Sequence, residues 1–335
     1  MRTLQDIACA LLVRHEGILA ADESSGSIGK RFTEIGVAST PEMHRQYRQM
    51  LFTTPGISAF ISGVILFDET IRQNTDDGIP FSDYLSEQQI ILGIKVDMGT
   101  EAIDGGEETH TTGRNGLEKR LMEYYELGAR FAKWRAVIKI GVGMPSENAL
   151  AQNAKELAEY AALCQAAGIV PIIEPEVLMD GDHSIDDCYH ATVKTLKTVF
   201  VAQNEKGVDL TGLILKSNMV IDGKDAKEKS APEVIADKTI RAFLEAVPAE
   251  VPGIVFLSGG QSEREACENL NAIANHPEAK PWELTYSYGR ALQHSAMHAW
   301  AGKKENIEKA QAVFKKRAEL CSLARDGKYS LEMES

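Results

Sequence analysis

Eight short apolar segments recur along this chain, and most are followed by a longer segment with helical periodicity. Several of the short segments, such as GIVPIIEPEV and TGLILKSNMV, are apolar almost throughout instead of alternating with polar residues. That pattern is typical of parallel strands that are buried on both faces. It predicts strands over residues 18–24, 62–67, 91–97, 131–140, 169–177, 210–220, 253–260 and 284–290.

The longer segments carry signals of helices. Residues 148–167 are rich in Ala, Leu, Glu and Gln and precede Gly168, a residue type that commonly follows a helix end. Residues 230–246 and 303–325 are also predicted to be helical. Eight β/α units predict an α/β fold of the (β/α)8 TIM barrel type, as a single domain over residues 1–335. The alternative, an open doubly wound sheet, usually has a GxGxxG turn after its first strand, and this sequence lacks one there.

Composition restricts the class of partner. The net charge of −13 argues against nucleic acid or an anionic membrane as the main partner. No segment approaches the roughly 20 apolar residues of a membrane-spanning helix. The five scattered cysteines lack a CxxC pair, which fits reduced thiols. We therefore expect a cytoplasmic protein that binds neither nucleic acid nor membrane.

Charged and small polar residues end seven of the predicted strands. A single buried charge at the end of a strand would indicate a structural ion pair. Polar residues at the ends of seven strands indicate an active site instead, because barrels carry catalytic residues at the carboxyl ends of their strands. These strand-end residues include Asp22, Ser24, Lys95, Asp97, Lys133, Arg135, Glu174, Glu176, Lys216, Ser258, Gly259, Gly289 and Arg290.

Lys216 is the candidate nucleophile. It follows the apolar run LTGLIL, so its amine is expected to lie in an apolar wall. Burial and a nearby cation both favour a neutral amine, and Lys133, two strands away around the predicted barrel, would supply that cation. A neutral amine can attack a ketone carbonyl. Its position fits equally well a lysine that pairs with a carboxylate at a strand end.

Glu174 and Glu176 are two residues apart, so on a regular strand their side chains point to the same side. Two close carboxylates repel each other, which raises the pKa of one and favours a proton shuttle. Alternatively, each glutamate pairs with a barrel lysine. The two interpretations are compatible, because a paired cluster can also be catalytic.

Two candidate anion sites flank the lysine. The amides of Ser258 and Gly259 can converge on an anion, and Gly289 and Arg290 lie in the next strand-end loop. The residues of a second anion site, on the opposite side, are Ser24, Ser27, Arg31 and Lys95. Two anion sites around an amine predict a ketose that carries a phosphate at each end.

No metal or other cofactor is predicted. His294 and His298 stand four residues apart, but their motif HSAMH lacks the glutamate of HExxH. We interpret them as packed or exposed helix residues. No other group of His, Cys and carboxylate residues has a zinc-like spacing.

The sequence resembles the class I fructose-bisphosphate aldolase family from about Leu4 to Tyr329. The motifs that carry the resemblance are, in order, GILAADES, GVILF, GIKVD, FAKWR, PIIEPE, LKSNMV, FLSGGQSE and SYGRALQ. The resemblance implies a (β/α)8 barrel, usually a homotetramer, that cleaves fructose 1,6-bisphosphate in glycolysis and gluconeogenesis without a metal.

The resemblance also implies a role for each site residue. Lys216 forms the Schiff base and Lys133 assists carbinolamine formation. Glu174 shuttles protons, Glu176 orients and tunes the neighbouring lysines, and Asp22 handles the proton of the C4 hydroxyl. Ser258, Gly259 and Arg290 resemble the phosphate site nearest the imine. The residues that resemble those serving the other phosphate and the hydroxyls are Ser24, Ser27, Arg31, Lys95 and Arg135.

Two departures from the family pattern stand out. Most relatives have proline at the position of Ser217. Animal and plant relatives protonate the enamine with a tyrosine at the end of a longer tail, whereas this sequence ends at Ser335 and its last tyrosine, Tyr329, belongs to another motif. The resemblance thus implies no donor for that proton. Two other functions are considered: another imine-forming aldolase, acting on a different aldehyde or a monophosphate ketose, and a non-catalytic barrel that serves as a scaffold.

Overall fold

Eight parallel strands close into a barrel, as the sequence predicts. The structure, a computed structural model, describes residues 2–335. The strands are β1 (Gly17–Ala21), β2 (Ile61–Leu66), β3 (Ile91–Lys95), β4 (Thr100–Ala102), β5 (Thr109–Thr111), β6 (Phe131–Ile138), β7 (Val170–Val177), β8 (Ile214–Ser217), β9 (Gly253–Phe256) and β10 (Glu283–Tyr288). The order around the barrel is β1-β10-β9-β8-β7-β6-β3-β2, and β4 pairs with β5 as a separate hairpin. The (β/α)8 prediction is confirmed.

Helices surround the barrel. They are α1 (Leu4–Leu11), α2 (Ser25–Glu34), α3 (Pro41–Phe52), α4 (Asp68–Ile71), α5 (Phe81–Glu87), α6 (Leu117–Glu126), α7 (Glu147–Ala166), α8 (Ile185–Lys206), α9 (Pro232–Ala246), α10 (Glu263–Asn275), α11 (Arg290–Trp300) and α12 (Ile307–Arg325). The predicted end of the helix over residues 148–167 is confirmed, because Gly168 follows α7 with a φ of +74°. Within residues 2–335, no helix has both the length and the apolar character needed to cross a bilayer.

Several predicted boundaries were wrong. Residues 22–24, 96–97, 257–260 and 289–290 lie beyond the strand ends, because ladder pairing stops before the sequence pattern does. Leu210–Gly212 forms a 3-10 helix, and β8 spans only Ile214–Ser217. The predicted helix over 303–325 is divided into a 3-10 turn, Lys304–Asn306, and α12. The residues beyond the observed strand ends lie mostly in loops, and these loops contain many of the polar candidate site residues.

An apolar layer fills the barrel interior. Ile65, Phe131, Ile172, Ile214 and Val255 belong to one buried cluster that also contains apolar residues of α1. Helix α1 therefore packs against the amino-terminal end of the barrel and closes its interior at that end. A second, larger cluster lies between the barrel and the outer helices.

The charged candidates form the next layer above this apolar one. Side chains on a strand alternate between its two faces, so the residue two positions further along points into the barrel as well. Lys133 follows Phe131 in this way, and Glu174 follows Ile172. Lys216 likewise follows Ile214. The apolar layer thus separates the charged groups from the amino-terminal end of the barrel.

Gly93 has no side chain because the ring of Phe131 occupies that space. A Cβ atom at Gly93 would lie 2.2 Å from two carbons of the Phe131 ring, which is fully buried. We expect Gly93→Ala to lower the free energy of unfolding by about 1–3 kcal/mol, because an overpacked core must shift. Urea unfolding at equal protein concentration measures this loss.

Gly26→Ala is the matched control, because a Cβ at Gly26 meets nothing within 4 Å. Its free energy of unfolding should not fall, and could rise by up to about 1 kcal/mol, because alanine is favoured over glycine in a helix such as α2. An equal loss in both variants would contradict the assignment of Gly93 to the packed interior.

Candidate active site

Glu174 lies between two lysines at the carboxyl end of the barrel. Its Oε1 is 3.0 Å from the Nζ of Lys216, and its Oε2 is 3.2 Å from the Nζ of Lys133. The second contact is an ion pair without hydrogen-bond geometry. The side chains of all three residues are only 5% exposed. The Nζ of Lys133 also lies 2.8 Å from Oδ2 of Asp22, so β1, β6, β7 and β8 meet in one ionic network.

Charge pairing outweighs burial for most of this network. Burial alone would raise the pKa of Asp22, but Lys133, Lys216 and Lys95 lower it to about 2. Burial likewise opposes the charge of Glu174, yet the two lysines and Arg135 lower its pKa. Burial alone would lower the pKa of Lys133, but the carboxylates of Asp22, Glu174 and Asp97 raise it. At neutral pH Asp22 and Glu174 are therefore anions and Lys133 is a cation.

The sequence predicts that Lys133 acts on Lys216 as a nearby cation, and this prediction needs a correction. Lys133 does lie two strands from Lys216, because β7 separates β6 from β8. However, Glu174 contacts both amines, so the carboxylate offsets the repulsion between them. Lys216 is thus both a candidate nucleophile and a member of an ion pair, and the two interpretations that its sequence position allowed hold together.

Glu176 differs from Glu174 in its surroundings. Burial raises the pKa of Glu176, and the charge of Glu174 adds to this effect, whereas Arg135 opposes it. The pKa values of the two glutamates therefore move in opposite directions, whereas the sequence predicted only that the pKa of one of them is raised. The expectation that each glutamate pairs with a lysine was wrong for Glu176, because the Nε of Arg135 donates to its carboxylate.

Asp97 belongs to the network, although the role assignments made from the sequence omitted it. Its Oδ1 is 2.6 Å from Nζ of Lys95, and its Oδ2 is 4.0 Å from Nζ of Lys133. Within the described residues, that Oδ2 is buried and accepts no hydrogen bond. The sequence feature that pointed to Asp97 was its position at the end of the third predicted strand.

The first group of candidate anion-binding residues lies at the start of α2. Ser24 caps this helix, and its Oγ is 3.1 Å from Oγ of Ser27. Arg31, on the same helix, is buried and forms an ion pair with Glu23. Its Nη1 also donates to Gln293 (3.3 Å), and its Nη2 has no hydrogen-bond partner within residues 2–335. Glu23 and Gln293 therefore hold the guanidinium group of Arg31 in place, and within residues 2–335 its Nη2 remains available to donate a hydrogen bond.

The second group lies in two neighbouring loops. Ser258 is buried and Gly259 partly buried in the loop between β9 and α10. A Cβ at Gly259 would lie 3.2 Å from Oε1 of Glu176, so glycine lets this loop approach the glutamate closely. Gly289 precedes α11, and Arg290 is the exposed first residue of that helix.

A large groove of the structure lies away from this charged cluster. A groove of about 1010 Å³ lies at the amino-terminal end of the barrel, where its lining includes Leu4, Ile7, Ser62 and Ile91. The ionic network contributes none of its residues to that groove. We place the candidate active site at the carboxyl end, because the candidate nucleophile and its acid–base partners lie there.

Three remaining predictions concern residues outside the network. His294 and His298 are exposed on α11, which confirms one of the two interpretations given for them. The five cysteines are free thiols. Tyr329 is buried, and its hydroxyl donates to Glu334 (2.7 Å), so it is engaged within the chain terminus.

Comparison with known proteins identifies the family. The family model described as class I fructose-bisphosphate aldolase matches residues 3–335. The chain belongs to the class I fructose-bisphosphate aldolase family. Its activity is accordingly that of an aldehyde-lyase, the fructose-bisphosphate aldolase of glycolysis.

Individual aldolases are similar over nearly the whole chain. The cytosolic fructose-bisphosphate aldolase 4 of Arabidopsis thaliana is 52% identical over 332 residues, which cover 98% of this chain and 84% of the relative. A probable class 1 fructose-bisphosphate aldolase of Xanthomonas campestris is 48% identical, covering 97% of this chain and 98% of the relative. The solved fructose-bisphosphate aldolase of Plasmodium falciparum, in complex with TRAP and an inhibitor, superposes with a TM-score of 0.95 at 48% identity and covers 98% of this chain and 95% of that one.

Proposed function

We propose that this aldolase cleaves fructose 1,6-bisphosphate through an imine on Lys216. The products are glyceraldehyde 3-phosphate and dihydroxyacetone phosphate. The observation that carries the proposal is the contact of Glu174 with the amines of both Lys216 (3.0 Å) and Lys133 (3.2 Å). An amine nucleophile, an acid–base group and a second cation are thereby within reach of one carbonyl.

Imine formation moves two protons from the ammonium group of Lys216 to the ketone oxygen, which leaves as water. Glu174 accepts the first of these protons, and the neutral amine of Lys216 then attacks the C2 carbonyl. Before attack, Lys216 is one of the cations that lower the pKa of Glu174. Once its amine is neutral, that contribution is lost, so Glu174 holds the transferred proton more readily. Glu174 delivers this proton to the oxygen, whose negative charge after the attack is stabilised by Lys133. Glu174 then carries the second proton from the carbinolamine nitrogen to the resulting hydroxyl, which leaves as water and gives the protonated imine.

Cleavage of the C3–C4 bond follows. Asp22, which is ionised at neutral pH, accepts the proton of the C4 hydroxyl. The electron pair of the C3–C4 bond moves into the protonated imine, which gives a neutral enamine and releases glyceraldehyde 3-phosphate. Protonation of the enamine carbon and hydrolysis of the imine then release dihydroxyacetone phosphate and regenerate Lys216.

Two anion-binding groups support a bisphosphate substrate. We assign the C1 phosphate to Ser258, Gly259, Gly289 and Arg290, at the start of α11. The C6 phosphate and the sugar hydroxyls are assigned to Ser24, Ser27, Arg31, Lys95 and Arg135. Helix amino termini favour anions, because their first amides lack partners within the helix. An aldolase of a monophosphate ketose would need only one of these two groups.

We also propose a homotetramer that acts in the cytoplasm and needs neither metal nor other cofactor. The family resemblance supports the tetramer and the metal independence. The relatives from Arabidopsis and spinach carry cytosolic or cytoplasmic in their names, which supports the location. Sedimentation equilibrium would contradict the tetramer if the mass fitted one or two chains.

Borohydride reduction in the presence of fructose 1,6-bisphosphate tests the imine directly. We expect a stable adduct on the peptide that contains Lys216, identified by mass spectrometry, because borohydride converts an imine into a secondary amine. Lys216→Met should abolish the adduct and lower kcat by at least about 10⁴-fold, since it removes the nucleophile.

Lys139→Met is the matched control, because Lys139 lies just beyond the end of β6 and its amine is 3.9 Å from Glu107. This variant should keep both the adduct and the activity. An adduct on another lysine in the wild type, or loss of activity with EDTA, would refute the proposed mechanism.

The assignment of the two phosphates predicts a difference between substrates. Fructose 1-phosphate lacks the C6 phosphate, so Ser27→Ala should raise KM for fructose 1,6-bisphosphate roughly tenfold and leave that for fructose 1-phosphate nearly unchanged. Arg290→Ala should impair both substrates. Steady-state kinetics with both sugars measures this, and equal effects of Ser27→Ala on the two would exclude the assignment.

A further inference from the structure

Two exposed histidines of α11 lie beside a glutamate of α2. His294 and His298 are four residues apart, so they share one face of the helix. Their ring centroids are 4.5 Å apart. Glu34 is the last residue of α2, and one potential ligand atom from each of the three side chains lies within 4.8 Å of the others. Two imidazoles and a carboxylate from two helices therefore converge on one point of the surface.

The polar atoms of these three side chains are uncommitted in the part of the chain that the structure describes. Within residues 2–335, Glu34, His294 and His298 form neither a side-chain hydrogen bond nor an ion pair. By contrast, His44 lies 2.9 Å from Glu69, and His110 lies 3.0 Å from Glu156. The ring nitrogens of His294 and His298 and the carboxylate of Glu34 are thus available to a ligand from solvent.

Buried hydrogen bonds fix the positions of α2 and α11 relative to each other. Gln293, which precedes His294, is fully buried, and its Oε1 accepts hydrogen bonds from Arg31 of α2 (3.3 Å) and from Tyr47 (2.9 Å). Its Nε2 donates to the carbonyl of Ala20 (2.7 Å). The spacing between α2 and α11 is therefore set by the core, so a ligand at Glu34 and the histidines would find its donors in place.

We propose that Glu34, His294 and His298 bind a divalent cation of the zinc type. Imidazole nitrogen and carboxylate oxygen are common ligands of zinc, and histidines four residues apart on a helix are a recurrent pair in zinc sites. Ligand atoms about 2.1 Å from one tetrahedral zinc lie roughly 3.4 Å apart. Because the three side chains are exposed, small rotations bring their atoms to that separation, and water fills the remaining position.

This site is distinct from the candidate active site. Lys216 and its partners are buried at the carboxyl end of the barrel, whereas the three ligands are exposed on outer helices. The two helices nevertheless begin at the two candidate phosphate-binding groups of residues, since Ser24 is the N-cap of α2 and Arg290 is the first residue of α11. A bound cation would therefore connect the helices that present Ser27 and Arg290 without entering the reaction.

Isothermal titration of the metal-free full-length protein with zinc chloride tests the proposal. We expect one strong site per chain. His294→Ala, His298→Ala and Glu34→Gln should each weaken zinc binding roughly tenfold or more, which corresponds to about 1.4 kcal/mol or more. His190→Ala is the matched control, because His190 is an exposed histidine on α8. It should bind zinc like the wild type.

Thermal unfolding provides an independent measurement. A cation that binds only the folded protein raises Tm, so zinc should raise the Tm of the wild type and of His190→Ala but not that of His294→Ala. Melting without zinc checks that the variants fold. Absence of zinc binding in the wild type, or unchanged binding in the three ligand variants, would overturn the proposal. Either result is independent of the borohydride adduct, which tests the reaction.

Discussion

The carboxylate of Glu174, held between the ammonium groups of Lys133 and Lys216, is the interaction on which the site depends. Two cations so deeply buried would be costly without it, since breaking a buried pair by removing one partner typically costs about 3–5 kcal/mol. The same carboxylate is the proposed proton carrier. One group therefore stabilises the resting arrangement and takes part in the proposed reaction, and the loss of one lysine charge during attack changes its proton affinity in the required direction.

The barrel supplies what this interaction needs. The charged residues stand two positions beyond apolar residues on the same strands, as Lys216 does beyond Ile214, so both layers point inward. Parallel pairing of β6, β7 and β8 brings their carboxyl ends together. Packing of α1 against the apolar layer closes the opposite end, which leaves the polar end as the place where substrate can meet Lys216.

The sequence predicted the barrel and most members of the charged cluster, because continuous apolar runs and the residues that end them are local features. It did not predict how the charges pair. Glu176 pairs with Arg135 and not with a lysine, and Arg31 is held by Glu23 and by Gln293, which is 262 residues away. Such pairings depend on side-chain directions across segments distant in the chain. The approach of Glu34 to His294 and His298 depends on the same long-range packing, and for that reason HSAMH alone gave no reason to expect a metal.

The rate of imine formation in Glu174→Gln shows whether Glu174 carries the proton. Rapid mixing with fructose 1,6-bisphosphate, followed by a borohydride quench, gives the fraction of Lys216 trapped as a function of time. If Glu174 carries the proton, Glu174→Gln should slow trapping by at least about 100-fold. Glu176→Gln, whose native carboxylate pairs with Arg135, should slow it much less. Trapping in Glu174→Gln at the wild-type rate would show that Glu174 is not the proton carrier.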